Sequence, residues 1–227
     1  MNKQHAGGLI IVALVLMGTL PSHHVLAGEP AREGDFDKLS FDAGMNNVST
    51  EATAHALSLG VAQKNLDAYL FLVSVGEHFV KDENGVFNEK ANKQAFTAAV
   101  LNITPELLEK AKPFTDETGE KQVRAVMFAL LSACDSFVEQ PGQFNKSAFS
   151  VAFKNLDIAK VKKAADLMST RRDLALSYLL TASSRFLDKN RTFNASLFNN
   201  RFDALKATQF TGTEDEREKT FLKLMRP

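Results

Sequence analysis

The sequence predicts an all-α protein: a single compact helical domain of repeated helix–loop–helix units behind a cleaved signal peptide. Three observations carry that reading. The first is an export signal. Lys3 precedes the apolar run Leu9-Ile10-Ile11-Val12-Ala13-Leu14-Val15-Leu16-Met17, and Val25-Leu26-Ala27 ends in a small residue before Gly28. The second is helical patterning from Ser49 onward, with Pro105, Pro113, Pro141 and Pro227 at segment edges and no sustained apolar–polar alternation that would mark a strand. The third is a Phe-Asn pair that recurs three times in a fixed setting.

These observations divide the chain. Residues 1–27 read as the signal peptide; their apolar run is about half the ~20 residues that a membrane span requires. Residues 28–48 mix Gly, Pro, Asp and Asn without periodicity and read as an irregular lead-in. Residues 49–227 read as one all-helical repeat domain, long enough to bury a sizeable core.

The recurring frame is regular. Phe87-Asn88, Phe144-Asn145 and Phe193-Asn194 are each followed by a Phe nine residues after the first, at Phe96, Phe153 and Phe202. Each pair is preceded by an aromatic seven or eight residues upstream: Phe79, Phe137 and Phe186. The pairs lie 57 and 49 residues apart, close to the spacing of helical repeats. Asn88, Asn145 and Asn194 suit helix N-caps, where a short polar side chain accepts an orphan backbone N–H. The Phe before each cap then packs onto the fourth helical residue, which is Phe149 in the second unit and Phe198 in the third. In the first unit that position is Asn92, which breaks the pattern. Between the helices run short polar loops.

Other helix starts are legible. Thr104-Pro105-Glu106 offers a cap with Pro at the first helical position. A helix from Asp157 to Met168 is expected, as is one opened by Thr170 with Asp173, and a last one from Thr213 through Glu214-Asp215-Glu216 to Met225. The expected total is roughly ten helices of ordinary length.

The first loop carries a family resemblance. In Val80 to Ala91, Asp82 and Asn84 fall on the third and fifth positions, Gly85 on the sixth and Phe87 on the eighth. This segment resembles the loop of an EF-hand, and Ile103-Thr104-Pro105-Glu106 resembles the linker that follows a hand. The resemblance implies a helix–loop–helix fold. It departs at both ends, where Val80 and Ala91 stand in place of the family's Asp and bidentate Glu. Calcium takes about six to eight oxygen ligands, and this loop supplies too few. The second unit keeps Gly142 and Phe144 but has Phe137 and Ala148 at the ends, and the third lacks the Gly.

Composition narrows function. Without Lys3 the chain has 26 basic against 27 acidic residues, a balance that argues against nucleic-acid or polybasic membrane binding. The single cysteine, Cys134, reads as a buried small apolar residue, because it sits in the apolar helical run from Ala129. Two histidines outside the signal region, His55 and His78, and one cysteine do not make a recognisable zinc site. Each His reads as a packed or surface side chain rather than a base. Glycine-rich phosphate loops, nucleophile elbows and H-E-x-x-H are all missing. Arg171-Arg172 reads as a solvated helix start, with anion binding as the sharper alternative. Five sequons begin at Asn47, Asn102, Asn145, Asn190 and Asn194.

No residue is therefore assigned a catalytic, cofactor-binding or metal-binding role, and the chain is not expected to be an enzyme. The sequence favours a secreted or periplasmic, non-catalytic binding protein whose partner is another protein or a hydrophobic small molecule. A carrier of a lipid-like ligand and a degenerate EF-hand-like calcium-responsive protein are the alternatives. The ligand count predicts the same melting temperature in calcium and in chelator; a reproducible calcium-dependent rise would show that a loop binds the ion after all.

Overall fold

The computed structural model describes residues 38–76, 89–139 and 142–227. Residues 1–37, read above as a signal peptide and the start of the lead-in, residues 140–141 and residues 77–88 lie outside the described residues. The last of these segments carries His78, Phe79, the Phe87-Asn88 pair and most of the EF-hand-like loop.

The described chain is all-helical. In order it forms α1 (Lys38–Asn47), α2 (Thr50–Ser58), α3 (Asn65–Gly76), α4 (Glu89–Asn102), α5 (Pro105–Ala111), α6 (Gly119–Cys134), α7 (Lys146–Lys154), α8 (Ile158–Met168), α9 (Arg172–Ser184), α10 (Ala195–Asp203) and α11 (Glu214–Leu224). Short 3-10 turns follow several of them. The one two-stranded element, among the described residues, is the pairing of β1 (Val138–Glu139) with β2 (Gln143–Phe144). No described helix is long and apolar enough to cross a membrane.

The predicted caps are in place. Thr104 accepts from the Leu107 amide, Asp157 from the Lys160 amide, and Thr213 forms a full capping box with Glu216. One continuous apolar core runs from Val48 near the start to Met225 near the end, so the helices share one domain. Helix α6 lies at its centre and packs on α3, α4, α5 and α9. Its run Val126, Met127, Leu130, Leu131 and Cys134 is fully buried. Helix α9 packs on α6, α7, α8 and α11, and so joins the C-terminal helices to the centre.

The lead-in requires a correction. Residues 38–47, expected to be irregular, form helix α1. Nothing local announces it: its first turn has no acidic residue and its last no basic one, so its dipole is uncompensated. Gly44, which reads as a breaker in isolation, supplies close approach instead. It lies against Gly76 at the end of α3, where an added Cβ would stand 3.4 Å from the Gly44 Cα and carbonyl oxygen. Two glycines let the backbones of α1 and α3 meet, and tertiary contact then outweighs weak propensity.

This crossing predicts a graded response. Gly76→Ala places a methyl at ordinary contact distance and is expected to be nearly neutral. Gly76→Val forces the helices apart and is expected to cost about 1–3 kcal/mol in chemical denaturation. Equal stability of the two variants would show that α1 does not rest on Gly76.

Candidate functional site

The best-built feature is a pair of turns joining α6 to α7 and α9 to α10. Their geometry agrees bond for bond. In the first, the Asn145 amide donates to the Phe137 carbonyl at 2.9 Å; in the second, the Asn194 amide donates to that of Phe186 at 2.8 Å. Val138 pairs antiparallel with Phe144, and Leu187 bridges to Phe193 in the same sense. Asn145 caps α7 by accepting from the Ala148 amide, and Asn194 caps α10 by accepting from that of Leu197.

Aromatic rings close each turn. Phe149 meets Phe137 edge-on, with centroids 5.4 Å apart at 86°, and Phe144 at 5.6 Å. Phe198 meets Phe186 edge-on at 5.4 Å and 83°, and Phe193 at 5.6 Å. These are the offset geometries that the ring quadrupole favours. The predicted contact between Phe144 and Phe149, and between Phe193 and Phe198, is therefore present in both turns. Phe153 and Phe202 point inward as expected, and Phe96 is fully buried.

One backbone position separates the turns. Five residues after the first Phe stand Gly142, with φ +93°, and Arg191, with φ +60°. Glycine enters this left-handed region freely, whereas another residue there costs on the order of 1 kcal/mol. Arg191 is held by further bonds. Its amide donates to the Asp188 carbonyl, its Nε donates to Glu139 Oε1 at 3.0 Å, and its carbonyl accepts from Asn145 Nδ2 at 3.2 Å. Asn145 Nδ2 also donates to Glu139 Oε1 at 2.5 Å. Asn145, and with it Arg191, holds the Glu139 carboxyl below the usual range. Glu139, Asn145 and Arg191 thus fasten the two turns side by side. Sequence reasoning assigned Asn145 its cap and missed Glu139 and Arg191, which are 52 residues apart and share no local pattern.

A second polar seam lies beneath. Helix α8 sends Lys160 Nζ to the Asn155 carbonyl at 2.8 Å and Lys163 Nζ to the Phe202 and Asp203 carbonyls at 3.1 and 3.3 Å. Lys163 also stands 4.8 Å over the Phe202 ring. The two lysines cap the C-terminal ends of α7 and α10, where carbonyls lack partners and the dipole is negative. Asn155 and Asn199 exchange side-chain bonds across the same gap at 3.0 and 3.1 Å. A shallow groove of about 350 Å³ opens here, lined by Asp157, Lys160, Lys163, Asn199 and Asp203 among others. Its cations already serve helix ends and carboxylates, so its chemistry is that of a clamp.

No family model, curated protein or solved structure matches this chain.

The remaining single residues fall into place. Cys134 is fully buried, and burial together with Asp135 pushes its thiol well above the usual range, so it stays protonated and unreactive. His55 is half-buried and donates from Nε2 to the Ile103 carbonyl at 2.9 Å, tying α2 to the end of α4. No group of three metal-ligating side chains assembles among the described residues. Among the sequons, Asn47 and Asn102 are buried and Asn145 and Asn194 are committed to caps, while Asn190 is exposed.

At the start of α9, expected to be solvated, Arg171 is exposed and Arg172 is half-buried. Arg171 pairs with the buried carboxylate of Asp173, through Nε at 3.1 Å, and Arg172 pairs with Asp116 and donates to the Thr115 carbonyl. Arg172 ties the α5–α6 connection to the helix start, and Arg171 is engaged within that start. Thr170 is not the cap expected of it: Arg171 holds that position, and the Thr170 hydroxyl donates to Glu214 of α11 instead. On the far face Tyr178 donates to the buried Glu218 at 2.5 Å, and burial followed by that carboxylate raises the tyrosine pKa.

The two caps predict unequal losses. Asn194→Ala removes a cap alone and is expected to cost about 1 kcal/mol in denaturant titration. Asn145→Ala also unfastens Glu139 and Arg191 and is expected to cost measurably more. Equal costs would show that the link between the turns contributes nothing.

Proposed function

We infer that this protein is an exported, non-catalytic binding protein, carried to a secreted or periplasmic location by residues 1–27 and built from repeated helix–loop–helix units. The observation that carries the reading is the pair of equivalent turns fastened side by side. Repeated units of this kind stack their neighbours and present a continuous face built from equivalent loops. Gln143, Lys189 and Asn190 are exposed along that face. The partner is another protein, engaged through polar contacts at the turns. A balanced charge across the chain supports a partner other than nucleic acid.

The lipid-carrier reading draws on the same phenylalanines, but many of those described pack against one another. Phe198 contacts Phe186, Phe193 and Phe202, and Phe202 contacts Phe221. Rings packed in this way fill a core, as dense protein interiors require. The buried positions of Cys134 and the carbonyl-bound His55 support a non-catalytic reading.

Photo-crosslinking in the exporting cell tests this. A photoreactive residue at Gln143 or Lys189 is expected to give one defined protein adduct, and the same probe at the exposed Glu109 of α5 none. Equal labelling from all three positions, or none from the turns, contradicts the proposal.

A further inference from the structure

The sequons beginning at Asn47 and Asn102 mark the same corner twice. In each, an Asn ends a helix (α1 or α4), an apolar residue turns into the core (Val48 or Ile103), and a Ser or Thr caps the next helix. Ser49 Oγ accepts from the Ala52 amide at 3.1 Å, and Thr104 Oγ1 from that of Leu107 at 3.2 Å. Asn155-Leu156-Asp157 makes a similar corner between α7 and α8, but its cap is Asp, so no sequon arises. The sequon is thus a by-product of the corner: the residue two after the helix end is a cap, and caps favour Ser and Thr.

These corners leave no room for a sugar. Asn47 is 1% exposed and Asn102 4%, and the Nδ2 atom of each is buried without a hydrogen-bond partner among the described residues. The corners are also tied together. Thr97 of α4 donates to Ser49 Oγ at 3.2 Å, and His55 of α2 donates from Nε2 to the Ile103 carbonyl at 2.9 Å. Asn145, in a third sequon, uses both ends of its amide: Oδ1 caps α7, and Nδ2 donates to Glu139 and to the Arg191 carbonyl. Asn190 and Asn194 differ. Both are exposed, and Asn194 caps through Oδ1, which a glycan on Nδ2 leaves free to accept.

N-glycan transfer bonds Nδ2 of a sequon asparagine to the first carbon of a sugar, displaces the lipid diphosphate that carried the sugar and releases one Nδ2 proton. The product is a bulky, solubilising group suited to a surface. Transfer meets the chain as it enters the secretory compartment, before the fold has buried anything. A glycan at Asn47 or Asn102 then has to enter the core, where sugar hydroxyls lose water without gaining partners. At Asn145 it leaves Nδ2 with one hydrogen for two acceptors, and so breaks the link between the turns.

We infer that this chain matures on an export route that attaches no N-glycans, because the native fold cannot carry one at Asn47, Asn102 or Asn145. The inference rests on the proposed export and narrows it. The secreted or periplasmic location belongs to a cell whose export route leaves Asn-x-Ser/Thr unmodified.

A sequon-free variant tests this. Ser49→Asp, Thr104→Asp and Ser147→Ala together remove the three sequons; Asp keeps both caps, and Ser147 is exposed. Residues 28–227, native or variant, are sent behind established leaders into a bacterial periplasm and through a eukaryotic secretory pathway. Whether residues 1–27 themselves direct export is read separately, by deleting them from the full chain, so the two readings fail independently. In the periplasm both chains are expected to be folded and protease-resistant. In the secretory pathway the native chain is expected to gain glycans at Asn47, Asn102 and Asn145 and to be retained, while the variant is secreted folded. If the variant fails to fold in the periplasm, the native chain made with synthesis of the lipid-linked donor blocked takes its place. Secretion of folded native chain, with the three sites occupied or bare, would overturn the inference. So would retention of a native chain bare at those sites, retention of both chains, or failure of the native chain to fold in the periplasm.

Discussion

Edge-on contact between phenylalanine rings is the interaction on which this fold depends. In each described turn the fourth residue of the outgoing helix is a Phe that meets both the Phe ending the incoming helix and the Phe before the cap. That contact fixes where the chain reverses. It also places an asparagine where its side chain reaches the first turn of the next helix. Large aromatic burial and quadrupole geometry thus serve here as a cross-link between helices. In a calcium-binding loop the same task falls to an ion held by carboxylates. Here apolar residues occupy both ends of the second and third loops, and rings hold the helices directly.

Polar interactions then set how the units meet. Glu139, Asn145 and Arg191 join the turns at one end. At the other end Lys160 and Lys163 satisfy the carbonyls that α7 and α10 leave open. Exposed ion pairs add little individually. These instead complete hydrogen bonding at helix ends, where an unpaired carbonyl costs more. Helix α11 closes the arrangement through Phe221, Met225 and the Tyr178–Glu218 bond.

Much of this was legible in the sequence because its causes are local. The caps at Thr104, Asn145, Asp157, Asn194 and Thr213 follow from short polar side chains beside apolar runs, and the ring contacts follow from fixed spacing. The illegible parts have distant causes. Helix α1 depends on Gly44 meeting Gly76, which no window of sequence contains. The left-handed Arg191 is tolerated because of Glu139, 52 residues away. The pairings of Arg171 and Arg172 were hidden because Asp116 is remote in sequence and a carboxylate two residues on is not a helical neighbour.

The central claim is that the same ring contact holds both turns. Two double-mutant cycles test it most directly, one over Phe137 and Phe149 and the other over Phe186 and Phe198, each Phe replaced by Leu and stability measured in denaturant. The account predicts a coupling of about 0.5–1.5 kcal/mol in each cycle, with the two values agreeing within about 0.5 kcal/mol. Additive losses in both cycles, or coupling in one turn alone, would contradict it.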